Sequence, residues 1–276
     1  MPSIRVIWLV ASLEWRASLR NWWLILYAVL LVLLVAGVAS LSTTELSGLE
    51  RGQFGRTAAA ITNVVMVLIP LFALIAGAAA IAPDRERGLL AYFLSHPITT
   101  GELVAGKYLG GLAALSLVLG LGLGAGAVGL AFSSVMEVSG FLWLAGLAWL
   151  LMAASFSTGI ALSVIARRAP VAVGLAIVTW VALLFLGDLG LMAVSTMSNL
   201  DLRLVVVIAI ANPTEAFKVA AVDRLATSLD ALGPGGQWLA DTMNAQLLPA
   251  LVGVLLIWAI VPAGVAYLGL RRTDAG

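Results

Sequence analysis

The chain has no cysteine, a single histidine and only 11% charged residues. The first absence excludes disulfides, thiolate chemistry and cysteine-based metal sites. With His96 alone, a His-Glu-x-x-His zinc motif is impossible. Copper finds few soft ligands either, because the seven methionines show no tight spacing and read as packing residues. Charge is also missing where ion coupling needs it: no long apolar run has an acid, Lys, Arg or His near its middle. Intramembrane proteolysis fails on the same ground. His96 lies outside the apolar runs, and Gly187-Asp188 has no partner aspartate.

What the chain has in quantity is apolar surface: 62% hydrophobic residues and a mean hydropathy of +1.09. Soluble domains carry about 45–50% apolar and about 25% charged residues. The solvent for most of this chain is therefore lipid, where helices satisfy their own backbone. Six segments are long enough to cross: 22–41, 61–82, 108–132, 141–166, 171–187 and 247–270. The predicted class is an all-α polytopic membrane protein forming one transmembrane domain over residues 1–276. The first span is expected to serve as an uncleaved anchor.

Lysine and arginine set the orientation. With the N-terminus inside, Arg5, Arg16, Arg20, Arg85, Arg87, Lys107, Arg167, Arg168, Arg271 and Arg272 are cytoplasmic. Arg51, Arg56, Arg203, Lys218 and Arg224 lie outside, so both termini are expected in the cytoplasm. The net charge of +1 gives no sign of a nucleic-acid partner. Residues 1–21 contain an amphipathic stretch. Ile4, Ile7, Trp8, Ala11 and Trp15 recur at helical spacing, away from Arg5, Ser12, Arg16 and Arg20. That pattern predicts a helix in the cytoplasmic headgroup layer.

A charged island at 83–107 separates the second and third spans. Gly101 to Lys107 nearly matches the phosphate-cradling G-x-x-x-x-G-K-[ST] loop, but Tyr108 stands where the magnesium-binding hydroxyl belongs and no strand precedes it. The same residues read better as a helix start. Pro97 breaks the preceding helix, Thr99 and Glu102 form a capping box, and Lys107 sits at the membrane interface. The chain thus has no ATP site of its own in this reading.

The outer loop, 188–246, contains a second helix start. Asn212 caps, Pro213 fits the first turn and Glu215 follows at the right spacing. Phe217, Ala221, Leu225, Leu229 and Leu232 then make an apolar stripe that ends at Gly233-Pro234-Gly235-Gly236. A lid, a docking face and a plain cover all fit this helix. In the third span Gly120/Gly124 and Gly122/Gly126 are spaced for close helix approach, within one bundle or between two.

The island carries a family resemblance. Glu86-x-Gly88, a short apolar helix, Leu94-Ser95-His96-Pro97-Ile98 and Gly106-Lys107 resemble the ABC-2 type permeases of ATP-binding-cassette transporters. The start, Glu14-x-Arg16-x-Ser18-Leu19-Arg20-Asn21-x-Trp23, is similar to that family's interfacial helix. Asn212-Pro213-x-x-x-Phe217-Lys218 looks like the Nos-type branch, in which Arg is usual at the Lys218 position. Thr100 departs from the family, which often has Arg there.

The resemblance implies a six-span subunit that dimerises with a second copy and pairs with two cytosolic ATPases in the bacterial inner membrane. ATP and magnesium belong to those partners, and this chain binds no cofactor. The ATPase-coupling residues it implies are Asp84, Arg85, Glu86, Arg87, Gly88, Leu94, Ser95, His96 and Pro97, with Thr99, Glu102 and Lys107 ending the segment. Outside, Asn212, Pro213, Glu215, Phe217 and Lys218 would face a periplasmic accessory protein. The Nos-type system supports assembly of the copper–sulfur centre of nitrous-oxide reductase, with export of a sulfur species as one route. A membrane scaffold that docks periplasmic partners without transport is the competing class, favoured by the scarcity of polar residues in the spans.

Overall fold

The computed structural model describes residues 3–44, 53–94, 98–131, 138–166, 168–196, 202–225, 239, 242–243 and 246–273. Its helices are α1 (Ile4–Leu19), α2 (Trp22–Thr44), α3 (Gln53–Ala78), α4 (Ala82–Glu86), α5 (Leu89–Leu94) and α6 (Thr100–Ala131), followed by α7 (Val138–Ile165), α8 (Ala169–Thr196), α9 (Leu202–Ile210), α10 (Pro213–Leu225) and α11 (Leu247–Thr273). There is no strand among the described residues. Six stretches are long and apolar enough to cross a membrane: Trp22–Ser40, Ala59–Glu86, Thr100–Gly129, Val138–Ile165, Ala169–Gly187 and Leu247–Arg271. The expected all-α, six-span architecture is present. At 32 residues, α6 runs for about 48 Å at 1.5 Å per residue. That exceeds a hydrocarbon core of about 30 Å, so the first turns of α6 project from the bilayer.

The core forms around α7, which packs between α3 and α11 while α10 packs against all three. Backbone meets backbone at the α3–α7 crossing. A Cβ on Gly159 would strike the Leu74 carbonyl, and one on Gly77 would strike the Phe156 carbonyl. Elsewhere α6 uses glycine as a seat. Gly106 and Gly110 lie against Val10 and Ala11 of α1, whereas Gly122 and Gly126 receive Leu31 and Val35 of α2. Gly122/Gly126 thus serves packing inside the bundle. Positions Gly120 and Gly124 have nothing within 4 Å of where a Cβ would stand.

Two spans carry a proline in the helix interior, where it cannot donate to the preceding turn and pushes it open. In each, the carbonyl three residues before the proline takes a donor from a neighbouring span. Trp180 Nε1 donates to Val67 O at 2.9 Å, ahead of Pro70. Tyr108 Oη donates to Ala259 O at 3.2 Å, ahead of Pro262. Side-chain donors from a packed neighbour are what make such openings tolerable in lipid. Two span hydroxyls bond the preceding turn of their own helix: Ser116 Oγ donates to Leu112 O and Thr158 Oγ1 to Ala154 O. The buried hydroxyls of Ser155 and Ser157 have no hydrogen-bond partner among the described residues.

Candidate functional site: the joint between spans two and three and the α10 cap

Span two does not leave the membrane as one rod. It stops at Ala78, turns through residues 79–81 and resumes as α4. The break frees backbone groups deep in the fold, and one hydroxyl satisfies three of them. Ser163 Oγ of α7 donates to Ala78 O at 2.6 Å and accepts from Ile81 N at 3.0 Å and Ala82 N at 2.8 Å. Ser163 is fully buried. Replacing it with alanine strands a carbonyl and two amides, each costing about 1–3 kcal/mol when buried without a partner. Ser163→Ala is therefore expected to lower the thermal midpoint of the purified protein in detergent, whereas Ala161→Ser, which strands no group, is expected to leave it nearly unchanged.

The short apolar helix expected after Gly88 is present as α5, and a second short helix, α4, precedes it across Gly88. Gly88 has φ 73° and its amide closes the end of α4 on Arg85 O at 3.1 Å. No atom lies near its absent Cβ, so the demand for glycine is purely conformational. Alanine at this position is expected to cost about 1–2 kcal/mol and asparagine less, measured as shifts in thermal midpoint.

The charges ahead of Gly88 face inward more than expected. Arg85 Nη1 donates to Val164 O at 2.9 Å and Ala166 O at 3.2 Å, the exposed carbonyls ending α7. Glu86 accepts the Ala169 amide at 3.1 Å, the first N–H of α8. These adjacent residues thus bracket the turn between spans four and five, each placed at the helix end that suits its charge. Asp84 turns to Lys107, with Oδ2 2.7 Å from Nζ. Lys107 also meets Glu14 Oε2 of α1 at 2.9 Å. Lys107 is buried, with a side chain only 7% exposed, while its two carboxylates are partly open. The lysine expected to reach out to the membrane interface instead joins α1, α4 and α6.

A second tie binds α1 to the same corner. Thr99 and Glu102 make the expected capping box. The Thr99 amide donates to Glu102 Oε2 at 2.8 Å, and the Glu102 amide donates to Thr99 Oγ1 at 3.3 Å. Glu102 Oε1 also accepts the Ser3 amide at 2.6 Å, which fixes the start of α1. Gly101 to Lys107 is continuous helix rather than a phosphate-binding loop.

What remains exposed on α4–α5 is Glu86, Arg87, Gly88, Leu89 and Tyr92, of which Glu86 also holds the start of α8. Leu94 closes α5, while Ser95, His96 and Pro97 lie outside the described residues. Sequence reasoning passed over Ser163 and the role of Glu14 in this joint. Ser163 sits in an apolar run with no local signal. Glu14 is the only acid between residues 3 and 44, which in retrospect marks it.

At the other end, α10 is an inserted cap. The Asn212 side chain accepts the Thr214 amide at 3.0 Å, as expected of a cap, and donates through Nδ2 to Leu183 O of α8 at 2.6 Å. Thr214 Oγ1 donates to the same Leu183 carbonyl at 3.0 Å, and Trp258 of α11 ties down Ala211 O at 2.9 Å. Pro213, Thr214, Glu215 and Phe217 are buried. Glu215 sits where a Cβ on Gly187 would collide with it, 3.6 Å from Lys218. The residues expected to dock a periplasmic partner thus mostly hold α10 to the bundle in this conformation, and only Asn212 and Lys218 among them are partly open. The stripe beyond Leu225 lies outside the described residues. Asn212→Ala removes both the cap and the tether to α8. It is expected to cost about 1–2 kcal/mol at the cap alone and to speed proteolysis at the 211–225 segment.

Comparison with known proteins supplies the family. Residues 8–275 match the model of the ABC-2 family transporter proteins. The probable ABC transporter permease protein NosY of Pseudomonas aeruginosa is 29% identical over 277 residues, covering 97% of this chain and 98% of that protein. Its counterpart in Stutzerimonas stutzeri is 28% identical over 281 residues, covering 96% and 98%. With six candidate spans, a first helix locked to the third of them and two short helices between spans two and three, the chain belongs to the ABC-2 family of transporter proteins.

Proposed function

We propose that this chain is the permease subunit of an ABC exporter or force-transmitting complex of the Nos type. It works as a homodimer with separate cytosolic ATPases that hold ATP and magnesium, and both termini are cytoplasmic. The outward residues of α4–α5, Arg87, Gly88, Leu89 and Tyr92, with Ser95, His96 and Pro97 beyond them, meet the ATPase. Asp84, Arg85 and Glu86 carry the movement inward. A periplasmic accessory protein docks near α10, and the cargo serves maturation of the copper–sulfur centre of nitrous-oxide reductase.

One observation carries this reading. The α4–α5 segment is pinned at its root to four helices: to α1 and α6 through Lys107, to α7 through Arg85 and Ser163, and to α8 through Glu86. A push on such a handle moves α1 and four spans together, which is how a small displacement selects between two packings of a bundle. The kinship with the two NosY permeases supports the branch.

Co-purification of the tagged chain from its native cell in mild detergent tests the reading. A P-loop ATPase is expected in equal amount, together with a periplasmic companion. Leu89→Asp, on the outward face, is expected to cut ATPase recovery about tenfold, as for an interface residue worth more than 1 kcal/mol. Recovery of the chain without an ATPase would turn the assignment towards a scaffold. Recovery that Leu89→Asp leaves intact would move the contact elsewhere.

A further inference from the structure

The arginines of α1 are the charges that the fold leaves unused. α1 faces α6 through Val10 and Ala11, which are buried, and through Glu14 on Lys107. Arg5, Arg16 and Arg20 are spaced by 11 and 4 positions, near whole numbers of helical turns, and so form one stripe. The stripe lies on the side turned away from α6, and all three arginines are exposed. Among the described residues no carboxylate pairs with any of them, because Glu14 is committed to Lys107 and Glu102 to the Ser3 and Thr99 amides.

Apolar side chains border the stripe on both sides. Trp8 is 75% exposed, Leu9 58% and Leu13 53%. A surface that is cationic along its crest and apolar along its flanks suits the boundary between phospholipid headgroups and acyl chains. Chain continuity places it there. Only Arg20 and Asn21 separate α1 from α2, a membrane span that opens with exposed Trp22 and Trp23, residues that favour the membrane–water interface. An acidic protein surface would match the arginines and leave the flanking Trp and Leu in water.

We propose that α1 is a binding site for anionic phospholipids of the cytoplasmic leaflet. Arg16 and Arg20, one turn and about 6 Å apart along the axis, share one phosphate, and Arg5, about 16 Å before Arg16, takes another. Acyl chains lie against Trp8, Leu9 and Leu13. Arginine suits the task because its planar guanidinium grips phosphate oxygens in pairs.

The test uses the full chain in a neutral detergent, with bound lipid counted by native mass spectrometry. Phosphatidylglycerol is expected to be retained over phosphatidylcholine by about tenfold or more, given roughly fivefold per cationic side chain near an anionic headgroup. The variant R5Q/R16Q/R20Q is expected to lose that preference, R5K/R16K/R20K to keep most of it, and Arg16→Gln alone to lower it about fivefold. An equal concentration of inorganic phosphate is expected to displace none of the lipid. Equal retention of the two lipids, a preference that survives all the glutamine variants, or displacement by phosphate would each overturn the proposal.

Discussion

Lys107→Met is expected to unfold the joint between spans two and three. The lysine is buried between Glu14 and Asp84, at 2.9 and 2.7 Å, so its removal leaves two carboxylates facing each other across a site built for a cation. Breaking a buried pair by deleting one partner costs about 3–5 kcal/mol. Partial exposure of the two acids places the expected loss near the lower end of that range. A fall in thermal midpoint, together with loss of ATPase stimulation in the assembled complex, is the result to measure. The triple variant Glu14→Gln, Asp84→Asn, Lys107→Met removes every charge and strands none. It is expected to regain most of the stability, since uncharged replacements of buried ion pairs are often neutral. If the triad transmits movement from the coupling segment, that variant is expected to fold and yet remain uncoupled. Full coupling in the triple variant would reduce the triad to a structural clasp.

The contrast between Lys107 and the spans shows what a sequence can reveal about such a protein. A run of 20 apolar residues has one physical outcome in lipid, so the six spans were legible at once. The capping box at Thr99 and Glu102 was legible for a similar reason, because donor and acceptor stand three residues apart. Lys107 was not. Its local setting, a lysine at the edge of a span, matches a side chain that reaches into the headgroups. Its partner Glu14 lies 93 residues away, and only the seating of α1 on Gly106 and Gly110 brings the two together. Arg85 and Glu86 misled in the same way. Adjacent opposite charges in a loop read as a docking surface, whereas the structure sets each against a helix end 79–83 residues distant. On α10 the cap residues themselves were legible at Asn212. The burial of Glu215 and Phe217 was not, because it depends on which side of the helix meets spans that lie far along the chain.

Gly159→Val is expected to have the largest effect of any single substitution in the molecule. Many of the described glycines face open space or the far end of a side chain that can rotate aside. Gly122, for example, would meet Leu31 Cδ2 at 2.6 Å. At Gly159 the obstacle is backbone: the Leu74 carbonyl, and the Gly77 Cα at 3.0 Å. Gly77 returns the same contact, with Ile160 N at 2.8 Å, so the two helices touch along their main chains. A valine therefore forces α3 and α7 apart as rigid rods, and the consequence reaches the joint between spans two and three. Ser163 lies one turn along α7 from Gly159, and its three hydrogen bonds to the α3–α4 break lengthen with any separation. The overpacking alone costs about 1–3 kcal/mol, and each stranded backbone group at the break adds about 1–3 kcal/mol more. The sum approaches the whole stability of a typical domain, so little folded protein is expected in the membrane fraction. Gly120→Val supplies the control, since that position has open space where its Cβ would stand. It is expected to fold with a thermal midpoint close to that of the unaltered chain. Equal yields of the two variants would show that the α3–α7 crossing is looser than its backbone contacts require.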